Sequence, residues 1–446
     1  MFSRDFSCPV VAVRPARIGG DGEPLRQILA AGLCVIIGFA GILGTARADA
    51  DPLTLERAVR VALEEDPGLR ALSSAGSSEE DFAEAEASYP DPEVAVAAQN
   101  FPVDTFDFGQ EPMTQYRVAL RQSLPRGASR SLQRERRHVR ASQYELRAHD
   151  RRATIIKAVR IAWIDAVQDL RIARLLDESA PLFAELARIA ESAYSVGDGS
   201  QQDVIRAQLE QLNLEDRNIR VREQAHRARV ALARWVGGLS GLPLPMERVQ
   251  LAAPSYSEAE WETLLRTHPT VAVLDLAVDE RGIDVALAEQ DYKPRFGVEV
   301  AYGARGGEDA SGHSRPDFLS VGMTFDLPIF TGNRQDRRVS AARHLQSAAA
   351  SQRLDQVRQL KQSLDDALRR RGELQTRLVL YEGSIVPASD QAARAALAGY
   401  RADANDFSEV MRSYIGALDA RIELETLSSS LAQNSVELDY LAAQEE

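Results

Sequence analysis

The sequence predicts a mainly α-helical, internally duplicated chain in which long coiled-coil helices alternate with two short pairs of β-strands. Three observations carry this expectation. Pro67, Pro92, Pro181, Tyr194 and Val204 recur as Pro269, Pro294, Pro387, Tyr400 and Val410, at offsets of 202, 202, 206, 206 and 206. A unit of about two hundred residues is far longer than a solenoid repeat, so the offsets describe two equivalent modules with a small insertion midway. Aromatic residues make up only 6% of the chain while Ala, Leu, Arg, Glu and Gln abound, a mixture that favours long helices. Finally, the apolar period switches between helical spacing and strict alternation, in the same order in both halves.

The 446 residues, 44% hydrophobic and 27% charged, suffice for two or three ordinary cores. Net charge, 53 minus 66 or −13, argues against general nucleic-acid binding and suits an exported protein that handles cations or stays soluble. Residues 1–48 read as a leader. Arg4, Arg14, Arg17 and Arg26 precede an apolar run from Ile28 to Gly44, and Ala46-Arg47-Ala48 supplies a cleavage pattern, with cleavage after Ala48 or Ala50. The run falls short of the roughly 20 residues of a spanning helix. Both cysteines, Cys8 and Cys34, lie in this leader, so a mature chain would hold no disulfide, thiolate metal site or cysteine nucleophile.

The first repeat, 49–248, opens with a helical stretch around Leu53 to Leu63, a break at Pro67 and a second helix towards Ser88. Period two then appears at about 92–100 and 116–124, where Val94, Val96, Val118 and Leu120 alternate with Glu93, Arg117 and Arg121. A long helix follows over about 128–193. There Val159, Trp163, Ala166, Leu170 and Ala173 step by four, three, four and three, the spacing of a coiled-coil seam. Val196-Gly197-Asp198-Gly199 turns the chain into a helix over about 200–235, and Gly237 to Pro245 form a linker. The second repeat, 249–446, places strands at about 296–303 and 318–327 and long helices at about 333–397 and 406–442.

Four amphipathic strands of this length can cross a bilayer, yet four cannot close a barrel. An open edge in lipid leaves backbone groups unpaired, so several copies must share one barrel, and three would supply twelve strands. The polar set, Glu93, Arg117, Arg121, Glu299 and Asp326, would then face water inside. Alternation alone also fits a soluble two-sheet domain carrying a coiled coil, or a periplasmic coiled-coil structural protein without a pore.

The segments "LTLERAVRVALEEDPGLRAL", "YPDPEV", "QSLPRGASR", "AYSVGDGSQQDV", "DLPIFTGNR" and "AGYRADANDFSEV" together resemble the outer-membrane factor family. These are the TolC-like channels of efflux pumps and type I secretion systems, and the resemblance runs from Leu53 to Leu441. "YPDPEV" and the Pro-Gly joint are closest to the heavy-metal branch, CzcC-like and CusC-like. The resemblance implies a homotrimer with a twelve-stranded barrel in outer-membrane lipid and a periplasmic tunnel of helices. Its implied partners are a periplasmic adaptor (membrane fusion) protein and an inner-membrane transporter of RND or ABC type. A passive duct for tripartite efflux, with heavy-metal cations as one cargo, is the implied function, and multidrug efflux or type I protein secretion are the alternatives.

A tunnel closed at one end must open there, which makes the helical turns the candidate gate and adaptor contact. Tyr194, Gly197 and Asp203 match the family's first turn. Tyr400 matches in the second, where Ala402-Asp403 replaces the usual Val-Gly. Asp403, Asp406 and Glu409 would form carboxylate rings in a trimer, or simply a solvated acidic turn with Asp406 as helix cap. Arg130, Arg134, Arg136, Arg137 and Arg140, with Arg334, Arg337, Arg338 and Arg343 in the second copy, would touch headgroups or pair along an ordinary helix surface. Pro181 and Pro387 each either kink a helix or start one. The six histidines show no metal-ligand spacing, and neither a phosphate loop nor a nucleophile elbow appears. No enzyme activity, cofactor, metal site or nucleic-acid partner is therefore expected.

Overall fold

Each repeat is launched by a capped pair of short helices. We describe the protein from a computed structural model covering residues 52–402 and 404–443; the leader and Asp403 lie outside the described residues. Helix α1 (Leu55–Glu65) starts at Thr54, whose hydroxyl accepts from the Arg57 amide. Asp66 then caps α2 (Pro67–Ala87) by accepting from the Leu69 amide at 2.8 Å, with Pro67 in the first turn where its missing N–H costs nothing.

The second copy repeats the device with other chemistry. Ser257 and Glu260 form a capping box for α5 (Glu258–Thr267), and His268 caps α6 (Pro269–Gln290) through Nδ1, which accepts from Thr270 N at 3.3 Å. The His268 ring is fully buried, with Nε2 3.1 Å from the Tyr440 carbonyl. Burial pushes its pKa down against the pull of that carbonyl, so it serves as a neutral cap.

Four strands follow these pairs: β1 (Glu93–Gln99), β2 (Gln115–Leu124), β3 (Phe296–Arg305) and β4 (Phe318–Phe325). They form one antiparallel sheet in the order β1-β2-β3-β4, so the two repeats meet at β2 and β3, and β1 and β4 are edges. The expected fourth strand, 318–327, ends two residues earlier, at Phe325, although the Asp326 amide still reaches the Arg295 carbonyl at 3.3 Å.

Below the sheet, α3 (Ser129–Val196) runs unbroken for 68 residues, about 100 Å at 1.5 Å per residue. Helix α4 (Gln201–Val236) returns along it. In the second copy the expected single helix over about 333–397 is α7 (Gln335–Leu380), a π-helical segment (Tyr381–Ile385) and α8 (Val386–Arg401). A π-turn is how a helix absorbs an extra residue. The repeat offset grows from 204 at Arg130/Arg334 to 206 at Pro181/Pro387, so the insertion falls in this part of the chain. Pro181 therefore lies inside a continuous helix, whereas Pro387 starts one. Helix α9 (Phe407–Leu441) closes the described chain.

The helices pack as a single layer. Helix α3 packs on α2, α4, α6 and α9, α7 packs on α6 and α9, and α8 on α9; α4 also reaches α9, with Arg217 2.8 Å from Asp419. Apolar seams hold the layer. One joins Leu53, Ala58 and Ala62 to Ile155, Val159, Trp163 and Leu232; its counterpart joins Trp261, Leu265 and Val271 to Leu360, Leu364 and Leu438. Towards the turns, Leu176, Phe183, Leu186, Phe407, Val410 and Met411 interlock. Midway, Glu425 of α9 is buried between Arg171 of α3, at 2.7 Å, and Arg248 of the linker, also at 2.7 Å. Burial works to raise the Glu425 pKa, but the two guanidinium groups outweigh it and hold the carboxyl below its usual range.

Two predictions follow from these contacts. Gly127, at the β2-to-α3 joint, has φ +43°, and a Cβ there would overlap the Lys293 side chain and the Gln290 amide that accepts from Ala128 N. Gly127→Ala is expected to cost about 1–3 kcal/mol, seen as a lower thermal midpoint of the purified protein. On α3, burial and the neighbouring Asp165 charge push Asp169 up to about 6. The folded chain then keeps a proton that the unfolded chain has released, so this group costs stability as pH rises from about 4 to about 6. Asp169→Asn should raise the thermal midpoint at pH 8 and leave it nearly unchanged at pH 4; an equal rise at both would refute the assignment.

Candidate functional site: channel wall and periplasmic tip

Strand register sorts the sheet residues into two faces. Val94↔Leu120, Val96↔Val118, Leu120↔Val300, Val118↔Tyr302 and Val300↔Val321 are opposed pairs on one side. That side is apolar and bare: Val96 is 75% exposed, and Leu319 and Val321 are each 74% exposed. A contiguous apolar face of this kind marks contact with lipid or protein.

The other face carries the charges. Glu299 of β3 receives Arg121 of β2 at 2.8 Å on one oxygen and Arg117 of β2 on the other. Glu93 of β1 stands opposite Arg121 in register. Thus Glu93, Arg117, Arg121 and Glu299 share one face around the boundary between repeats. Asp326 lies on the same alternation and lines one hollow with Glu93 and Arg121. It lies one residue past β4, accepts from the Arg295 amide at 2.6 Å, and pairs with Arg126. At the opposite end of the strands two loops clamp each other: Arg315 donates to the Gly109 carbonyl at 3.1 Å, and Arg305 to that of Pro112 at 3.1 Å.

At the strand-to-helix joints most of the predicted arginines are engaged. Arg126 bridges Asp291, at 3.0 Å, and Asp326. Arg130 stacks over the Tyr89 ring at 3.5 Å. Arg134 pairs with Glu84, Arg137 with Glu79 and Glu86, Arg136 with Asp284 at 3.4 Å, and Arg140 with Glu280 at 2.7 Å. Arg338 and Arg343 reach Asp291 and Glu289. Arg126 was not singled out from the sequence. Its signal was there, as the residue after a repeated proline that differs between the copies, but its partners lie far along the chain.

The two turns at the far end of the helices are built differently. In the first, Gly197 adopts φ 88° and the Asp198 amide reaches back to Ala193 at 3.0 Å, closing α3 with a left-handed glycine cap. Ser200 then opens α4 with a capping box in which Asp203 accepts from the Ser200 hydroxyl at 2.6 Å. Tyr194 is half exposed beside this turn. In the second, the Ala404 amide reaches the Gly399 carbonyl at 2.8 Å, and Asn405 packs so tightly on Gly399 that a Cβ there would overlap its amide. Tyr400 meets the buried Phe407 edge-on, 5.5 Å between ring centres. Asp406 opens α9 without a side-chain capping bond, and Glu409 pairs with Arg412 at 2.7 Å. The structure thus gathers Tyr194, Gly197, Asp203, Tyr400, Asp406 and Glu409 at one end of the layer, opposite the sheet.

This architecture has known counterparts. Residues 261–444, most of the second repeat, match the outer membrane efflux protein family. A stretch of 243 residues is 24% identical to the outer membrane efflux protein BepC of Brucella suis biovar 1. That match covers 52% of this chain and 52% of BepC, so the two correspond over about half their lengths. The outer-membrane channel OprN shares the fold with a TM-score of 0.74 over 87% of this chain and 89% of its own, at 19% identity. VceC of Vibrio cholerae does so with a TM-score of 0.73 over 87% of this chain and 96% of its own, at 16% identity. Over residues 261–444 the chain thus matches the outer membrane efflux protein family, and the described residues share the fold of solved outer-membrane channels.

Proposed function

We propose that the protein is the outer-membrane exit duct of a tripartite efflux system, working as a homotrimer. The observation that carries this reading is the pair of unmatched edges. The sheet ends at β1 and β4. Each chain is therefore one sector of a closed wall, and three sectors give twelve strands, an even number. The exposed apolar face of the sheet supports lipid contact, and the opposite face, with Arg117, Arg121 and Glu299, then lines the channel. A periplasmic coiled-coil protein without a pore would have no use for that apolar face.

The helical end is the proposed gate and adaptor contact, through Tyr194, Gly197, Asp203, Tyr400, Asp403, Asp406 and Glu409. A periplasmic adaptor would dock there and an inner-membrane transporter, of RND or ABC type, would supply energy and select cargo. Three copies of Asp403, Asp406 and Glu409 would make acidic rings that favour cations, with Arg412 offsetting part of the Glu409 charge. Heavy-metal cations suit such rings, whereas drug efflux and polypeptide secretion do not require them.

In planar bilayers the protein is expected to form cation-preferring pores. Combined Asp403→Ala, Asp406→Ala and Glu409→Ala replacement should weaken both the cation preference and block by divalent ions. Pores with unchanged selectivity would remove the rings from the reading, and absence of any pore would overturn the duct itself.

A further inference from the structure

Because the chain is duplicated, the seam inside one copy is a template for the seam between copies. Within the chain, β2 and the start of α3 meet β3 and the end of α6. By repetition, β4 and the start of α7 should meet β1 and the end of α2 of the next copy. Equivalent residues follow from repeated landmarks: 202 for Pro92/Pro294, 203 for Pro125/Pro328, and 204 for Arg130/Arg334.

The internal seam is held by ion pairs, and at the equivalent positions none of them survives. Arg121 and Arg117 on Glu299 become Thr324 and Ser320 against Ala97. Arg136 on Asp284 becomes Ser340 against Phe82, and Arg140 on Glu280 becomes His344 against Ser78. At the joint, Arg126 on Asp291 becomes Ile329 against Tyr89. Both members change together, from a charge pair to an apolar pair. In the isolated chain Ile329 is 71% and Tyr89 58% exposed, and the inserted Phe330 beside Ile329 is 80% exposed.

We propose that Ile329 and Phe330 of one copy pack on Tyr89 of the next, forming an apolar clasp where the β-wall becomes the α-wall. In the same seam Thr324 pairs opposite Ala97, as Arg121 does opposite Glu299 inside the chain. The physical reason lies in how each seam forms. Inside a chain the charged partners arrive tethered and stay half solvated. Between chains, any charge must be desolvated on association, against a further loss of rigid-body freedom, so neutral and apolar contacts assemble at lower cost.

This inference rests on the ring assembly proposed above, and a swap experiment separates the two. Ile329→Arg and Tyr89→Asp each place one member of the internal ion pair into the clasp. Each single variant should lower the temperature at which the detergent-solubilised oligomer dissociates on semi-native gels, and the double variant should recover most of the loss. Circular dichroism on the same samples should show unchanged helix content, since both positions are exposed in the single chain. Singles that dissociate like wild type, or a double no better than the weaker single, would overturn the clasp while leaving the ring intact. A wild-type protein that is monomeric by light scattering would overturn the ring itself.

Discussion

The structure is governed by the backbone groups on the outer edges of β1 and β4. In lipid, each N–H or C=O without a partner costs several kcal/mol, and no side-chain chemistry at the edge can make up for a whole row of them. A four-stranded sheet with one apolar face is therefore an incomplete object, whatever its internal packing. Its two edges come from different repeats, β1 from the first and β4 from the second.

A second constraint appears where the sheet hands over to the helices. Neighbouring strands lie about 4.8 Å apart, whereas packed helices need about 8–10 Å. Four strands and four helical columns at these spacings differ in width, so the chain must adjust between them. The joints absorb this change. Pro92, Pro125, Pro294 and Pro328 stop the ladder, Gly127 turns with positive φ, and at the end of β4 the Asp326 side chain holds the Arg295 amide and Arg126. The dense ion pairing at this level fixes the angle at which helices leave strands. Of the two sequence readings of the arginine cluster, headgroup contact or an ordinary paired helix surface, the ion pairs fit the second.

Much of this was legible in the chain itself because periods report faces. Alternation at Val94 and Val96, or Val298 and Val300, gave strand positions within two residues, and the four-three steps from Val159 to Ala173 gave the buried seam of α3. Pairings between distant residues were not legible. Glu299 meets Arg121 across 178 positions, and Glu425 meets Arg171 across 254, so nothing local announces either. The π-helical segment was missed for a different reason. A short insertion in a helix, here two residues by the offsets, leaves composition and propensity untouched and shows only as drift in the offset between repeats. His268 looked like an isolated histidine, yet its position 202 after Asp66 identifies it as a helix cap.

Duplication also allows the two tips to be compared as if one were a variant of the other. In the first turn the glycine cap and the Ser200–Asp203 box satisfy helix-end groups on both sides. In the second, Asp406 makes no side-chain capping bond, and a cap of this kind is typically worth about 1 kcal/mol. The second turn keeps backbone bonds at the end of α8, from the Ala404 amide to Gly399 and the Ala402 amide to Ala398, and adds the packing of Tyr400 on Phe407 and Asn405 on Gly399. Hydrogen bonds within one turn move with it as a rigid unit, whereas contacts between the ends of two helices are lost when those helices part. The less capped turn is also the one whose approaching helix is broken by the π segment and Pro387. Helix α8 is thus set off at both ends by weaker backbone order than its counterpart, the last third of α3, which runs straight through Pro181.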